Sequence, residues 1–322
     1  MAQHFLLSSK SRTLSLAKVM RLSDEEAYQA FKDIRWAENG GEPFCPRCGC
    51  VEVYEYKSRR IFKCKGCESQ FSITTGTIFA SRKLAIRDLL AAVAIFVNGA
   101  KGISALQLSR DLDCQYKTAF VLAHKIREAM GAEMADRKLN GHVEVDGAFF
   151  GGYVKPANRK EDRIDRRLKE HRTGKRKAVV IMREREGRAL PFVFQGEDEA
   201  LSTIIERVEP GSTIYADEAS CWDALHSRYA VKRINHSVAY RDEGACTNQA
   251  ESYFSRLRRM EIGTHHHISG KYLHQYAREA AWREDNRRKP NGTLYAMVTK
   301  AALDHPVSRE WKGYWQRSNS CG

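Results

Sequence analysis

No stretch of this 322-residue chain stays apolar for long. The longest unbroken apolar run, Leu89 to Val97, is nine residues, and a helix that crosses a bilayer needs about twenty. A helical membrane protein is therefore not expected. The first thirty residues carry only short apolar runs and no small-residue cleavage pattern, so no signal peptide is expected and a cytoplasmic protein is. The cysteines cannot all pair: there are nine, and without a secretory signal a disulfide framework is a poor reading. Acids are in deficit, 40 Asp plus Glu against 54 Lys plus Arg, giving a formal net charge of +14.

The apolar fraction is 42%, enough to bury a core and to exclude wholesale disorder. At roughly 100–200 residues per domain, the length suggests two or three domains. The positive charge is clustered. Lys155 to Lys177 carries 11 basic residues against 4 acids, and Arg256 to Lys289 carries 9 against 4. A solvated basic loop is the plain reading of either stretch. Two of them in one chain point towards a nucleic-acid partner, because neutralising phosphates releases counterions.

Cys45-Pro-Arg-Cys48 and Cys64-Lys-Gly-Cys67 form two C-x-x-C pairs fifteen residues apart. This is four-thiolate zinc spacing. The intervening VEVYEYKSRRIFK alternates like a hairpin, and FSIT follows the second pair. Together they predict a zinc ribbon, in which Zn2+ is structural and supplies folding energy that a small module lacks. Cys50, Cys114, Cys221, Cys246 and Cys321 are scattered and read as ordinary thiols, with Cys50 close enough to compete as a ligand.

Ser23 and Glu26 make a capping box ahead of AYQAFKDIRW. After the ribbon, Leu84 to Val97 reads as a buried helix broken by Gly99 and Gly102. Ser104 caps ALQLSRDL, Asp113-Cys114 turns the chain, and Tyr116 to Met130 is a second helix. Two helices across a tight turn make a helix-turn-helix candidate. Gln115, Tyr116, Lys117 and Thr118 would then open the recognition helix and meet DNA.

From Gly141 the texture changes. HVEVDGAFFGG, KAVVIMRE and ALPFVFQ read as strands, the last two around the turn Glu186-Gly187-Arg188. A helix over Ala200–Val208, a strand over Thr213–Ala216, a helix over Ser220–Arg228 and a strand over Val231–Asn235 follow, then helix from about Thr247. This order predicts a mixed α/β sheet covered by helices, as in a ribonuclease-H-like domain. Asp146 ends the first strand and Asp217 the fourth. Asn248 and Glu251 lie three apart on a late helix and so share a face, with Arg258 two turns on. Clustered oxygen donors suit hard divalent cations. Two such ions about 3.5–4 Å apart can activate the attacking and leaving oxygens of a phosphodiester. Glu144, two positions inward of Asp146, reads as a bystander, and Glu279 as a possible supporting acid. His265 to His267 are consecutive and do not readily converge on one ion. The tail after Lys300 is uninformative apart from the apolar VSREWKGYWQ.

Several segments carry a family resemblance: CPRCG…FKCKGCESQFSITTGTIFASRKL, KGISALQLSRDLDCQYKTAFVLAHKIREAM, VEVDGAFFGG, YADE, TNQAESYFSRLRR and HHHISGKYLHQYAREAAWREDNRR. In this order the chain resembles bacterial insertion-sequence transposases of the fifteen-ninety-five superfamily, from about Asp24 to Asn291. The resemblance implies a DDE-type enzyme that moves a DNA element, with water and then a DNA 3′-hydroxyl attacking phosphodiesters. It implies Asp146 and Asp217 as the first two ligands of catalytic Mg2+ or Mn2+. Glu251 is favoured as the third on charge grounds, with Asn248 as rival or auxiliary, and Arg256, Arg258 and Arg259 form the basic DNA-contacting group. It implies element terminal repeats and target DNA as partners, a homodimer or larger synaptic assembly, and a nucleoid-associated location. The expected layout is a helical segment over 1–40, ribbon 41–80, helix-turn-helix 81–135, ribonuclease-H-like domain 136–300 and tail 301–322. A non-catalytic DNA-binding regulator and a structure-selective nuclease are the alternatives.

Overall fold

A computed structural model describes residues 5–151, 157–164, 174–185, 187–234 and 247–318. Much of the basic segment Lys155–Lys177 lies outside the described residues, as do Gly152, Glu186, Asn235, Cys246 and Cys321. The chain divides into two compact units. The first comprises residues 1–132 with 288–322, and the second residues 133–287.

In the first unit, α1 (Leu16–Met20) leads to α2 (Asp24–Arg35). Ser23 and Glu26 cap α2 reciprocally, Ser23 N donating to Glu26 at 2.8 Å and Glu26 N to the Ser23 hydroxyl at 3.2 Å. Its inner face buries Ala27, Tyr28 and Phe31. The ribbon follows as β1 (Val53–Tyr56), β2 (Ile61–Cys64) and β3 (Gln70–Ser72), antiparallel throughout. Phe62 fills its small core, edge-on to Trp36 at 5.6 Å and against Phe71 at 5.4 Å. The nine-residue apolar run becomes the middle of α3 (Ile86–Asn98), and every residue from Leu89 to Val97 is buried. A helix that is apolar all round belongs in a core. Ser104 caps α4 (Ala105–Asp111) through Gln107 N at 3.1 Å. Asp113, at φ 46°, makes the left-handed turn into α5 (Tyr116–Ala132).

The second unit is built on a five-stranded sheet. β4 (His142–Gly151), β5 (Arg176–Glu184) and β6 (Ala189–Phe194) form an antiparallel meander. Then α6 (Leu201–Arg207) leads to β7 (Thr213–Asp217), and β8 (Ala230–Ile234) closes the far edge. The sheet order is β6-β5-β4-β7-β8, with β4–β7 and β7–β8 parallel. This is the ribonuclease-H-like arrangement, and it puts β4 in the centre. The helix expected over Ser220–Arg228 is a 3-10 helix over Ser220–Ser227. Its tighter winding accompanies a hydrogen bond from the Trp222 indole back to Asp217 at 2.8 Å. α7 (Asn248–Met260) buries Ala250, Tyr253, Phe254, Leu257 and Met260 at helical spacing. One π-helical turn, Glu261–His265, separates it from the loop to α8 (Leu273–Asp285), which packs on β6 and α7. Glu279 is fully buried and takes the Arg283 guanidinium at 2.8 Å.

The chain then returns to the first unit as α9 (Asn291–Asp304) and α10 (Tyr314–Ser318). α9 packs against α2, α3 and α5. Asn291 pins the amino-terminal strand of chain to it, its carbonyl accepting from Thr13 N and Leu14 N, each at 2.8 Å. Trp311 is 1% exposed and stacks on His124 of α5 at 4.3 Å. No helix among the described residues is long and apolar enough to cross a membrane.

Candidate active site

The parallel pairing of β4 with β7 runs from His142 opposite Thr213 to Val145 opposite Ala216. The next residues along are Asp146 and Asp217. They stand side by side on strands about 4.8 Å apart. Asp217 ends β7 as expected, whereas Asp146, expected at a strand end, lies in the middle of β4, which runs on to Gly151 because β5 keeps pairing with it after β7 has stopped. Asp217 is held in place: its Oδ1 accepts from Trp222 Nε1 at 2.8 Å and from Ala219 N at 3.2 Å. Its neighbours in sequence do not share that position. Glu218 is exposed, and Asp223 pairs with Arg233.

Asp146 is mostly buried, and its carboxyl is pushed up to about 7. Burial is the main cause, opposed by the hydrogen bond from Gly147 N at 2.8 Å, and Asp217, Glu197 and Glu251 add to the rise. Four acids therefore act on one another at this end of the sheet. Glu251 and Asn248 project from the exposed face of the first turn of α7, three residues apart.

Glu197 is the acid that sequence reasoning missed. It opens the short 3-10 helix Glu197–Ala200 after β6. Its carboxylate fills the space a side chain at position 147 would need. A Cβ on Gly147 would come within 2.5 Å of Glu197 Oε1. Burial and the charges of Asp217 and Asp198 raise the Glu197 carboxyl. Burial, with the charges of Glu197 and Asp217, raises the Cys221 thiol to about 11. Three acids occur together in GEDEA, and nothing in that pattern marks the first of them.

The ribbon cysteines form a tighter set. Cys45, Cys48, Cys64 and Cys67 put all four sulfurs within 4.8 Å of one another, and no other group of three or more His, Cys, Asp or Glu residues does so among the described residues. Cys45 Sγ lies 3.6 Å from Cys67 Sγ, and Cys48 Sγ 3.6 Å from Cys64 Sγ. Sulfurs 2.3 Å from a tetrahedral zinc stand about 3.8 Å apart, so the four fit that ion. Cys67 N donates to Cys64 Sγ at 3.4 Å, and hydrogen bonds from Ser69 draw the Cys67 thiol down to about 6. Cys50 lies outside this set, its thiol facing the Glu52 carbonyl.

The expected DNA-contacting residues fall in both units. In the first, Gln115, Tyr116 and Lys117 are exposed at the start of α5 and Thr118 is half-buried. Trp315 of the chain's end packs here, with its indole nitrogen 3.2 Å from the Lys117 carbonyl and its ring 5.3 Å from the Lys117 ammonium. In the second unit, Arg258 and Arg259 are exposed on α7. Arg258 lies over the Phe150 ring at 5.4 Å, and Arg259 donates to Ser255. Arg256 is engaged with the buried Glu284 at 2.8 Å.

Comparison with known proteins gives two family matches in colinear order. Residues 22–70 match the transposase zinc-ribbon domain, and residues 138–285 match the ISXO2-like transposase domain. A protein from Halobacterium salinarum, described as an uncharacterized protein in transposable element ISH50, is 26% identical over 295 residues, covering 88% of this chain and 98% of its own. A chain from the crystal structure of the Mos1 strand transfer complex is similar over 66% of this chain and 78% of its own. At 11% identity and a TM-score of 0.26, that likeness is too slight to bear on fold or function. With ribbon and transposase domain in sequence along one polypeptide, the chain belongs to the insertion-sequence transposases of the fifteen-ninety-five (IS1595) superfamily.

Proposed function

We propose that this transposase cleaves DNA at the ends of its element and joins the freed 3′ ends to target DNA, using Mg2+ or Mn2+ held by the acids of the second unit. The observation that carries this reading is the juxtaposition of Asp146 and Asp217 at the same level of two parallel strands, with Glu197 and Glu251 acting on the same carboxyl. Four acids gathered around a partly buried point repel one another, and a divalent cation relieves that repulsion. Their hard oxygen donors suit Mg2+ or Mn2+ and would not favour a soft ion.

When bound, such ions polarise the scissile phosphodiester and lower the pKa of the attacking water or hydroxyl. The chain's own residues do the rest. Asp146 and Asp217 hold the ions, and the Trp222 indole keeps Asp217 turned towards its partner. Glu251 is the third ligand, with Asn248 beside it as rival or auxiliary. Arg258 and Arg259, about two turns further along α7 than Glu251, meet the phosphate backbone. In the first unit the four cysteines hold a structural Zn2+. The ribbon, over 41–80, and the helix-turn-helix, over 81–135, bind the terminal repeats, with Gln115, Tyr116, Lys117 and Thr118 leading. The ribonuclease-H-like domain, expected over 136–300, is better drawn to end near residue 287, because residues 288–322, α9 among them, cluster with the first unit. Synapsis of two element ends requires a homodimer or larger assembly, working on nucleoid DNA in the cytoplasm.

The test is a nicking and joining assay on DNA carrying the element's terminal repeats, with and without Mg2+. Asp146→Ala and Asp217→Ala are expected to abolish both steps while zinc content and DNA binding persist. Full activity in either variant refutes the assignment. Wild-type binding with no cleavage at any metal concentration leaves a DNA-binding regulator instead.

A further inference from the structure

Glu144 lies two residues before Asp146 on β4, and its side chain is 1% exposed. Alternation along a strand puts both on one face of the sheet. Buried acids need partners, and the partners of this one lie on a distant helix. Glu144 Oε2 accepts from Gln249 N at 2.9 Å and Ala250 N at 3.2 Å, two of the amides that the first turn of α7 leaves without a helical acceptor. Thr247, which occupies the N-cap position, makes no capping hydrogen bond with its side chain. An acid from the central strand thus takes the place of a local cap, and its charge suits the positive end of a helix.

The other half of the contact fastens the same point. Glu144 Oε1 accepts from Arg185 Nε at 3.2 Å, and the Arg185 guanidinium lies 3.6 Å over the Tyr215 ring. The Gln249 side chain spans Arg183 and Arg185, accepting from Arg183 Nε at 3.1 Å and donating to the Arg185 carbonyl. Arg183, Glu144 and Tyr215 are register partners on three adjacent strands. They form one row across the sheet, two residues beneath Asp146.

We propose that Glu144 is the positioning residue that fixes the start of α7, and with it Asn248 and Glu251, against the strand carrying Asp146. It touches neither metal nor substrate. Gln249, held from both its backbone and its side chain, sits between the two candidate ligands of the helix, so any loosening of the clasp moves both. The link to catalysis rests on the function proposed above; the clasp itself does not.

Glu144→Gln tests this in the full-length protein. The amide oxygen cannot serve both Arg185 and the helix amides with the strength of a carboxylate. Hydrogen exchange in the metal-free protein should speed up by roughly tenfold at the first amides of α7, with β5 and β6 unchanged. The Mg2+ concentration giving half-maximal cleavage should rise roughly tenfold or more, with the rate recovering at saturating metal. Should Glu144→Gln not fold, Gln249→Ala cuts the side-chain strap alone and is expected to give smaller shifts in the same direction. Unchanged exchange at the start of α7 overturns the clasp. A lower rate at every metal concentration with an unchanged half-saturation point overturns its positioning role. If the wild-type protein cleaves nothing, the enzymatic reading fails, and the exchange arm decides the clasp by itself.

Discussion

Asp146→Asn should destroy activity and at the same time stabilise the metal-free protein, by an amount that grows with pH. Folding raises the Asp146 carboxyl from 3.8 to about 7. A carboxyl whose pKa is raised by folding is harder to ionise in the folded than in the unfolded chain. The wild type therefore loses stability as pH climbs from about 4 through about 7, in total about 4 kcal/mol. Asparagine has no proton to lose, and its carbonyl can still accept from Gly147 N. The variant's advantage should thus be near zero at pH 4 and approach about 4 kcal/mol at pH 8. For a unit of this size that is roughly 10 °C in melting temperature. Thermal unfolding without added Mg2+ or Mn2+ and with the ribbon's zinc left in place, followed by circular dichroism across that range, reads it directly. Added Mg2+ should then stabilise the wild type more than the variant and narrow the gap. An advantage that stays flat from pH 4 to 8 refutes the reasoning, because it means that burial and the neighbouring acids do not burden position 146.

Four further outcomes follow from particular contacts. Stripping zinc, or Cys64→Ser, should unfold the ribbon and weaken binding to terminal repeats; a ribbon fully folded without metal, read by circular dichroism of residues 41–80 produced alone or by NMR of the whole chain, contradicts the structural role. Glu197→Gln is expected to slow cleavage by roughly 10–100-fold, and Gly147→Ala, which drives a methyl into the Glu197 carboxylate, should slow it comparably without loss of DNA binding. Alanine at Asn248 and at Glu251 should separate their roles by metal titration, with the larger rise in half-saturating Mg2+ at Glu251; the reverse order makes the amide the principal ligand. Trp311→Ala should cost the first unit about 3–5 kcal/mol, seen as a lower denaturant midpoint; an unchanged midpoint contradicts its packing role.

How much of this could be read in the residues depended on how local the physics is. The ribbon was legible because two C-x-x-C pairs and an alternating hairpin are short-range patterns, and the capping box at Ser23 and Glu26 for the same reason. The order of strands and helices in the second unit was legible from alternation and spacing. Asp217 stood out as an acid at a strand end; Asp146 was read the same way, but β4 continues past it to Gly151, and the meeting of the two depends on the parallel register of β4 and β7, which no local pattern states. Glu197 was hidden because its place depends on an absent side chain at Gly147. Nothing near Glu144 in the sequence shows what it engages: its partners, Gln249 and Ala250, lie more than a hundred residues downstream. Trp222 is buried, yet its indole nitrogen also serves Asp217, a second role that no local pattern shows. The tail was unreadable because Trp311 finds its surface on α5, far back in the chain.

The return of the last thirty-five residues to the first unit bears on how a ribosome delivers this protein. Residues 133–287 leave the exit tunnel as an unbroken block and have every strand and helix they need. The amino-terminal module, although translated first, waits for α9 and Trp311, and until they emerge the faces of α3 and α5 that they cover stay open to water or chaperones. Vectorial synthesis thus reverses the order of maturation, with the later-born half becoming complete before the earlier one. Protease digestion of chains truncated at residue 290 and released from the ribosome should find the downstream block resistant and residues 81–132 still cut.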